Sequence, residues 1–171
     1  MKYVHEQEKI DELILDWYRL STGDEVDQTS PFFRFVAVWV AFNAFYSSRM
    51  YDVGDSGIAQ VHAFARQAKV RNQHKMLLND DSEYRKAVEV LQEKGVYNTQ
   101  KGGKPWQVYD RENFIQVASC IYQVRNNLFH GGKGPSSMRD RHVVNAAYEI
   151  ISRIMLFHIK NAVPTDRSGR S

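Results

Sequence analysis

The stretch IYQVRNNLFHGGKG, residues 121–134, places an arginine, two asparagines and a histidine at the end of an otherwise apolar run. A histidine can give or take a proton near neutral pH. An arginine offers a planar fork of donors that can hold the oxygens of an anion. Arg125 and His130 together therefore suit a reaction in which a proton moves while negative charge develops nearby.

Helical geometry makes Arg125 the most unusual of these residues. At 3.6 residues per turn it falls near the centre of an apolar arc, where an unpaired cation is costly. The arc consists of Phe114, Val117, Ala118, Ile121, Leu128 and Phe129. Asn126 and His130 share a face at the edge of the arc, and Gly131-Gly132 supplies the left-handed turn that ends a helix. His130 then lies in the last turn, where the helix dipole favours a protonated imidazole.

A purely structural interpretation of such residues is also open. An arginine can extend its charged end from an apolar face to water, and histidine and asparagine are ordinary near a helix end. Asn43, alone among apolar neighbours, favours a buried hydrogen bond between helices, although a place in a cleft is also open to it. Lys101, Lys104 and Lys133 lie in glycine-rich segments, where they suit either a phosphate contact or simple solvation.

Composition limits the class of protein. The chain of 171 residues has the size of one domain, and its 43% hydrophobic and 25% charged residues are typical of a folded globular protein. Cys120 is the only cysteine, which excludes a disulfide framework and a cysteine-based metal site and favours the cytoplasm. His62 and His74 do not share a helix face, so no metal is expected. The net charge of +3 permits an anionic partner without demanding one.

Helical periodicity dominates the chain and predicts an all-α protein. Six helices are expected, over approximate ranges 2–20, 31–48, 58–73, 83–94, 111–129 and 138–161. Ser30 and Pro31 suit the start of the second helix, which is apolar almost all round and is expected at the centre of a bundle. Asp110 is expected to cap the fifth helix, after a loop or short hairpin over residues 95–109. The most apolar stretch is interrupted by Arg34 and is too short to cross a membrane, so no membrane partner is expected.

The end of the fifth helix carries a resemblance to a known family. The segment RNNLFH, residues 125–130, resembles the R-x(4–6)-H motif of HEPN domains, including the polar residue that the family tends to carry after the arginine. The segment VWVAFNAFY, residues 38–46, is similar to one in several HEPN groups. The resemblance implies a HEPN-like up-and-down bundle of five to six helices, with residues 1–163 as a single domain. Residues 164–171 are expected to form a flexible tail.

The resemblance also implies an activity. In many HEPN domains two subunits face each other across one cleft and cleave RNA without metal, in toxin, abortive-infection or other antiviral systems. Carried over, Arg125 and His130 are the catalytic pair and Asn126 is the positioning polar residue. The further RNA contacts expected are Asn127, Lys133 and Asn43. The expected partners are RNA, a second copy of the chain and an antitoxin or regulatory protein, with no cofactor.

The implied chemistry fits these residue types. When an RNA 2′-hydroxyl attacks the adjacent phosphate, His130 would move the proton and Arg125 would hold the charge of the pentavalent transition state. The products would be a 2′,3′-cyclic phosphate and a 5′-hydroxyl, and DNA would not be cut because it lacks the 2′-hydroxyl. Five residues put Arg125 and His130 about 140° apart around a helix, so a second copy is expected to complete the site.

One position departs from a subgroup of the family. Some HEPN toxins carry a tyrosine two positions after the histidine, where a partner nucleotidyltransferase modifies it, whereas this chain has Gly132 there. Control by that route is therefore not expected. The family also includes non-catalytic members that bind nucleotides or proteins, and such a module is the alternative function.

Overall fold

The structure, a computed structural model, describes residues 2–23, 30–49, 56–98, 104–130 and 137–162. Within these ranges, side chains are described from residue 7 to residue 159. The helices in these ranges are α1 (Lys2–Thr22), α2 (Pro31–Arg49), α3 (Gly57–Arg66), α4 (Ala68–Asp80), α5 (Ser82–Lys94), α6 (Phe114–Phe129) and α7 (Met138–Ala162). One isolated antiparallel bridge joins Val96 to Trp106. The all-α prediction is confirmed, with seven helices in the described ranges instead of five to six.

The additional helix comes from a break at Gln67, where a single helix was predicted. Gln67 has an extended backbone, with φ −60° and ψ 134°, and its N–H still donates to the Phe64 carbonyl. The bend lets α3 pack mainly against α6 while α4 packs against α5. Val61 and Val70, on the two sides of the break, are both fully buried. Tertiary packing therefore decides this break, which no proline or glycine marks in the sequence.

Helix α2 is the central helix, as predicted. It packs against α1 and α7 along most of its length and against the shorter α3. Its buried side chains are Phe35, Ala37, Val38, Trp39, Ala41, Phe42, Phe45 and Tyr46. The Trp39 ring also meets the Tyr122 ring of α6 at 6.0 Å between centroids. Four neighbouring helices thus take up the apolar surface that the sequence of α2 displays on nearly every side.

The start of α6 corrects one prediction. Asn113, not Asp110, is the capping residue, and its side-chain oxygen accepts from the Ile115 N–H at 3.1 Å. Asp110 instead accepts from the Glu112 N–H at 2.9 Å in the turn that precedes the helix. The helix therefore begins three residues later than predicted, with Phe114 buried in its first turn.

Several predicted features lie outside the described residues. These are Lys101, the Gly131-Gly132 helix stop, Lys133 and the tail over residues 164–171. Within the described ranges, no helix combines the length and the apolar character needed to cross a membrane.

Asp81 links two helices of the bundle. Its carboxylate caps α5 by accepting from the Glu83 and Tyr84 N–H groups, and it pairs with the Arg153 side chain of α7 at 2.7 Å. Burial acts to raise the pKa of Asp81, but the hydrogen bonds from Tyr84 and Arg153 outweigh it and hold the pKa below its ordinary value. A lowered carboxyl pKa stabilises the fold above the unfolded-state pKa, and that stabilisation is lost as the pH falls through the folded-state pKa.

Replacing Asp81 with alanine is expected to lower the free energy of unfolding by about 1–2 kcal/mol at pH 7, because α5 loses its cap and Arg153 loses a partner. Urea titrations at a series of pH values measure the effect. The difference from wild type should shrink as the pH falls below the ordinary carboxyl pKa of about 4, because the wild-type carboxylate then takes up a proton. Asp80→Ala, a change at the exposed neighbour, should stay within about 0.5 kcal/mol of wild type. Equal losses from the two changes would contradict the assigned role.

Candidate functional site

The C-terminal end of α6 carries the residues whose types first indicated chemistry. Arg125 and Asn126 lie in its last turns, and His130 follows the last helical residue, with its N–H directed to the Asn126 and Leu128 carbonyls. The His130 side chain is exposed. An imidazole thus stands at the surface at the predicted end of the helix, next to two polar residues of the preceding turns.

Arg125 is held by three groups of its own helix. Its guanidinium carbon lies 4.8 Å from the centroid of the Phe129 ring and 6.0 Å from that of Tyr122. Its Nη1 donates to the Asn126 Oδ1 at 3.0 Å. Its Nε is buried without a hydrogen-bond partner, and among the described residues no carboxylate forms an ion pair with it. The arrangement is a positioned cation whose charge is not neutralised by a neighbour in this part of the chain.

The predicted place of Arg125 at the centre of the buried arc is wrong. Arg125 is half-buried and Phe129 is 52% exposed, so both lie at the edge of the core. The buried face of α6 consists of Phe114, Val117, Ala118, Ser119, Cys120, Ile121, Gln123, Val124 and Asn127. The predicted arc is misplaced because it contains only apolar residues, whereas Gln123 and Asn127 are buried as a hydrogen-bonded pair.

Asn127 has a structural role that corrects its prediction as an RNA contact. It is 1% exposed, its Oδ1 accepts from Gln123 Nε2 at 2.8 Å, and its Nδ2 donates to the Tyr97 carbonyl at 2.6 Å. Asn127 follows Arg125 by two residues, which places them about 160° apart around the helix. Asn127 therefore ties the segment after α5 to α6 on the side away from the guanidinium.

Asn43 lies near Arg125 but not as a buried link between helices. Its side chain is exposed, and its Oδ1 accepts from the Tyr46 hydroxyl of the same helix at 2.5 Å. Burial and the neighbouring Tyr122 raise the pKa of Tyr46 to about 12, while the positive charge of Arg125 acts in the opposite direction. The four side chains therefore belong to one neighbourhood between α2 and α6, with Asn43 at its surface.

The other histidines of the core have structural partners. His62 Nε2 lies 2.8 Å from the Ser119 hydroxyl, which itself donates to a backbone carbonyl and so accepts from the imidazole. His74 is fully buried between the Tyr84 hydroxyl and the Arg111 carbonyl, each at 2.7 Å. Nε2 of His62 and both ring nitrogens of His74 therefore have partners within the fold.

His158 is also buried, against the rings of Phe45 and Phe64. Burial, with Lys69 nearby, lowers the pKa of His158 to about 4, so it is neutral at physiological pH. Among the histidines whose side chains are described, His130 and His142 are the exposed ones. No three His, Cys, Asp or Glu side chains in the described ranges come together as a metal site.

Sequence inspection missed the aromatic neighbours of Arg125. Tyr122 precedes it by three residues and Phe129 follows it by four, so both rings share its helix face. That spacing is present in the sequence, where Phe129 was predicted to be part of the apolar arc and Tyr122 was given no role. They confine the guanidinium at the edge of the core, where its charge can attract an anionic group.

Comparison with known proteins gives no match, because no protein-family model, no curated protein and no solved structure matches this chain. The chemistry open to the site follows from its geometry alone. Arg125 can stabilise developing negative charge, and His130 can transfer a proton at the surface. Asn126 can fix the guanidinium through the hydrogen bond that joins the two side chains.

Replacing Arg125 with methionine is expected to change the free energy of unfolding by less than about 1 kcal/mol, because no ion pair is lost and the thioether still packs on the two rings. Arg153→Met is the matched comparison. It removes pairs with Asp81 and Glu149 and should cost about 2 kcal/mol. Thermal and urea unfolding of both variants measure the difference. A loss at Arg125 as large as that at Arg153 would show that Arg125 serves the fold.

Proposed function

We propose that this protein is a metal-independent endoribonuclease of HEPN type that acts as a dimer, of a toxin or antiviral-defence kind. Arg125 and His130 are the catalytic residues, and Asn126 is the positioning residue. One observation carries the proposal: a guanidinium fixed by Asn126 and Phe129, with no carboxylate partner in the described chain, lies five residues before an exposed imidazole at the end of the same helix. The helical fold and the place of the site just before the last helix also support it.

His130 and Arg125 have different roles in the cleavage reaction. The 2′-oxygen of the ribose forms a bond to phosphorus while the bond from phosphorus to the 5′-oxygen breaks. His130 accepts the 2′-hydroxyl proton, and a protonated imidazole returns a proton to the leaving 5′-oxygen. Arg125 holds the non-bridging oxygens, whose negative charge grows in the pentavalent transition state. The products are a 2′,3′-cyclic phosphate and a 5′-hydroxyl.

The geometry of a single helix favours a site shared by two subunits. Arg125 and His130 are separated by about 7.5 Å along the helix axis and by about 140° around it. They converge poorly on one phosphate within a single copy. A two-fold dimer that pairs the ends of two α6 helices brings Arg125 of one protomer towards His130 of the other.

RNA cleavage tests the proposal directly. Wild-type protein incubated with end-labelled single-stranded RNA and a chelator should release fragments that end in a 2′,3′-cyclic phosphate. His130→Ala and Arg125→Ala should each cleave about 100-fold more slowly, since each loses a catalytic group. His142→Ala and Arg71→Ala, changes at exposed residues of α7 and α4, should stay within about twofold of wild type.

Two other outcomes of that experiment would contradict the proposed nuclease activity. Equal residual cleavage by wild type, His130→Ala and Arg125→Ala would show that the RNA is cut by a contaminant. RNA binding without any cleavage would favour the alternative, a non-catalytic HEPN-like module that binds a nucleotide or a protein.

A mixing experiment tests the shared site. When His130→Ala and Arg125→Ala proteins are mixed in equal amounts and allowed to exchange subunits, about half of the dimers are mixed, and each contains one intact Arg125–His130 pair. Activity should recover to about a quarter of the wild-type level. Native mass spectrometry confirms subunit exchange. Exchange without recovery of cleavage would contradict a site composed from two protomers.

A further inference from the structure

Tyr97 and Arg139 form an exposed pair of an aromatic ring and a cation. The Tyr97 side chain is 46% exposed, and the Arg139 guanidinium carbon lies 4.8 Å from the centroid of its ring. Arg139 Nη2 donates to the Lys94 carbonyl at 2.8 Å, at the end of α5. In the described chain no carboxylate pairs with Arg139. A flat ring and a flat cation are therefore presented together at the surface.

The backbone behind this pair is fixed. Val96 exchanges both backbone hydrogen bonds with Trp106, at 2.7 and 2.8 Å. The carbonyl of Tyr97 itself accepts from the buried Asn127 side chain at 2.6 Å. Tyr97 is thus held from two sides, although its ring remains exposed. A large ring presented from an anchored backbone is pre-organised to receive a ligand, because little conformational freedom remains to be lost on binding.

The pair is connected to the end of α6 that carries the proposed active site. His130 follows Asn126 by four residues and Asn127 by three, so it is the neighbour of both on the surface of the helix end. Asn126 binds the guanidinium of Arg125, and Asn127 binds the backbone of Tyr97. Tyr97 is thereby tied, through Asn127, to the end of α6 that carries Arg125 and His130.

We propose that Tyr97 and Arg139 receive an unstacked base of single-stranded RNA next to the phosphate that is cleaved. The choice of RNA as the ligand rests on the nuclease function proposed above. Aromatic faces and arginine planes stack on any base, and such contacts are the usual way in which proteins bind single strands without reading their sequence. Tyrosine and arginine are also common at protein interfaces. The link through Asn127 to the end of α6 that carries the proposed site favours RNA. The enzyme selects single-stranded RNA, since a duplex keeps its bases stacked inside the helix.

Binding is measured in the full-length His130→Ala background, so that the RNA stays intact. Fluorescence anisotropy with a labelled single-stranded RNA gives Kd at several salt concentrations. Adding Tyr97→Leu should weaken binding about tenfold, whereas Tyr97→Phe, which keeps the ring, should stay within about twofold. Arg139→Gln should also weaken binding and should lower the salt dependence by about one ion.

Two matched changes serve as controls in the same background. Tyr109→Leu removes a tyrosine that is 75% exposed elsewhere, and Arg71→Gln removes an exposed arginine of α4. Both should leave Kd within about twofold. Duplex RNA of the same sequence should bind equally well with and without the Tyr97→Leu change, because its bases are not free to stack on the ring.

The outcomes separate this inference from the proposed function. Equal Kd values for Tyr97→Leu and Tyr109→Leu would overturn the stacking role, even if the wild-type protein cleaves RNA. Binding that depends on Tyr97, in a protein that cleaves nothing, would keep the stacking role and remove the nuclease. A changed oligomeric mass for Tyr97→Leu would show that the pair serves a protein interface, and absence of RNA binding by every variant would end both proposals.

Discussion

Helix α2 displays large apolar side chains on nearly every side, and the chain can bury them only by surrounding the helix with others. Helices α1, α7 and α3 cover three of its sides, while Trp39 reaches the Tyr122 ring of α6. Each buried ring removes a large apolar area from water, and several of them meet edge to face, which is a preferred arrangement. Tyr122 lies three residues before Arg125 and is one of the two rings near its guanidinium, so the packing of the core also contributes to the surroundings of that cation.

Much of the fold could be predicted from the sequence, because the signals are local. Pro31 marks the start of α2, Asp81 lies directly before α5, and the periodicity of apolar residues is correct for the last helix. The break at Gln67 could not be predicted, since its backbone conformation is set by where α3 and α4 find partners. The choice between Asp110 and Asn113 as the cap of α6 also depends on tertiary packing, because either residue type suits the position.

The candidate site, like the fold, could be predicted only in part from the sequence. Arg125, Asn126 and His130 are close together in sequence, and helical geometry alone brings them to one end of α6. The burial of Asn127 could not be predicted, because its partner is the backbone of a segment that no helical wheel includes. The pairing of Tyr97 with Arg139 was likewise beyond a sequence argument. It arises where the chain after α5 meets the start of α7.

The surface around the end of α6 depends on contacts between residues far apart in the chain, so it forms late during synthesis. Asn127 and Tyr97 are 30 residues apart in the chain, and Arg139 and Lys94 are 45 residues apart. Helix α7 is made after the other described helices, and it packs against both α5 and α2. A nascent chain on the ribosome therefore has α6 but not the finished surface around its end. The surface that joins Tyr97, Asn127 and Arg139 is therefore complete only after α7 has been translated.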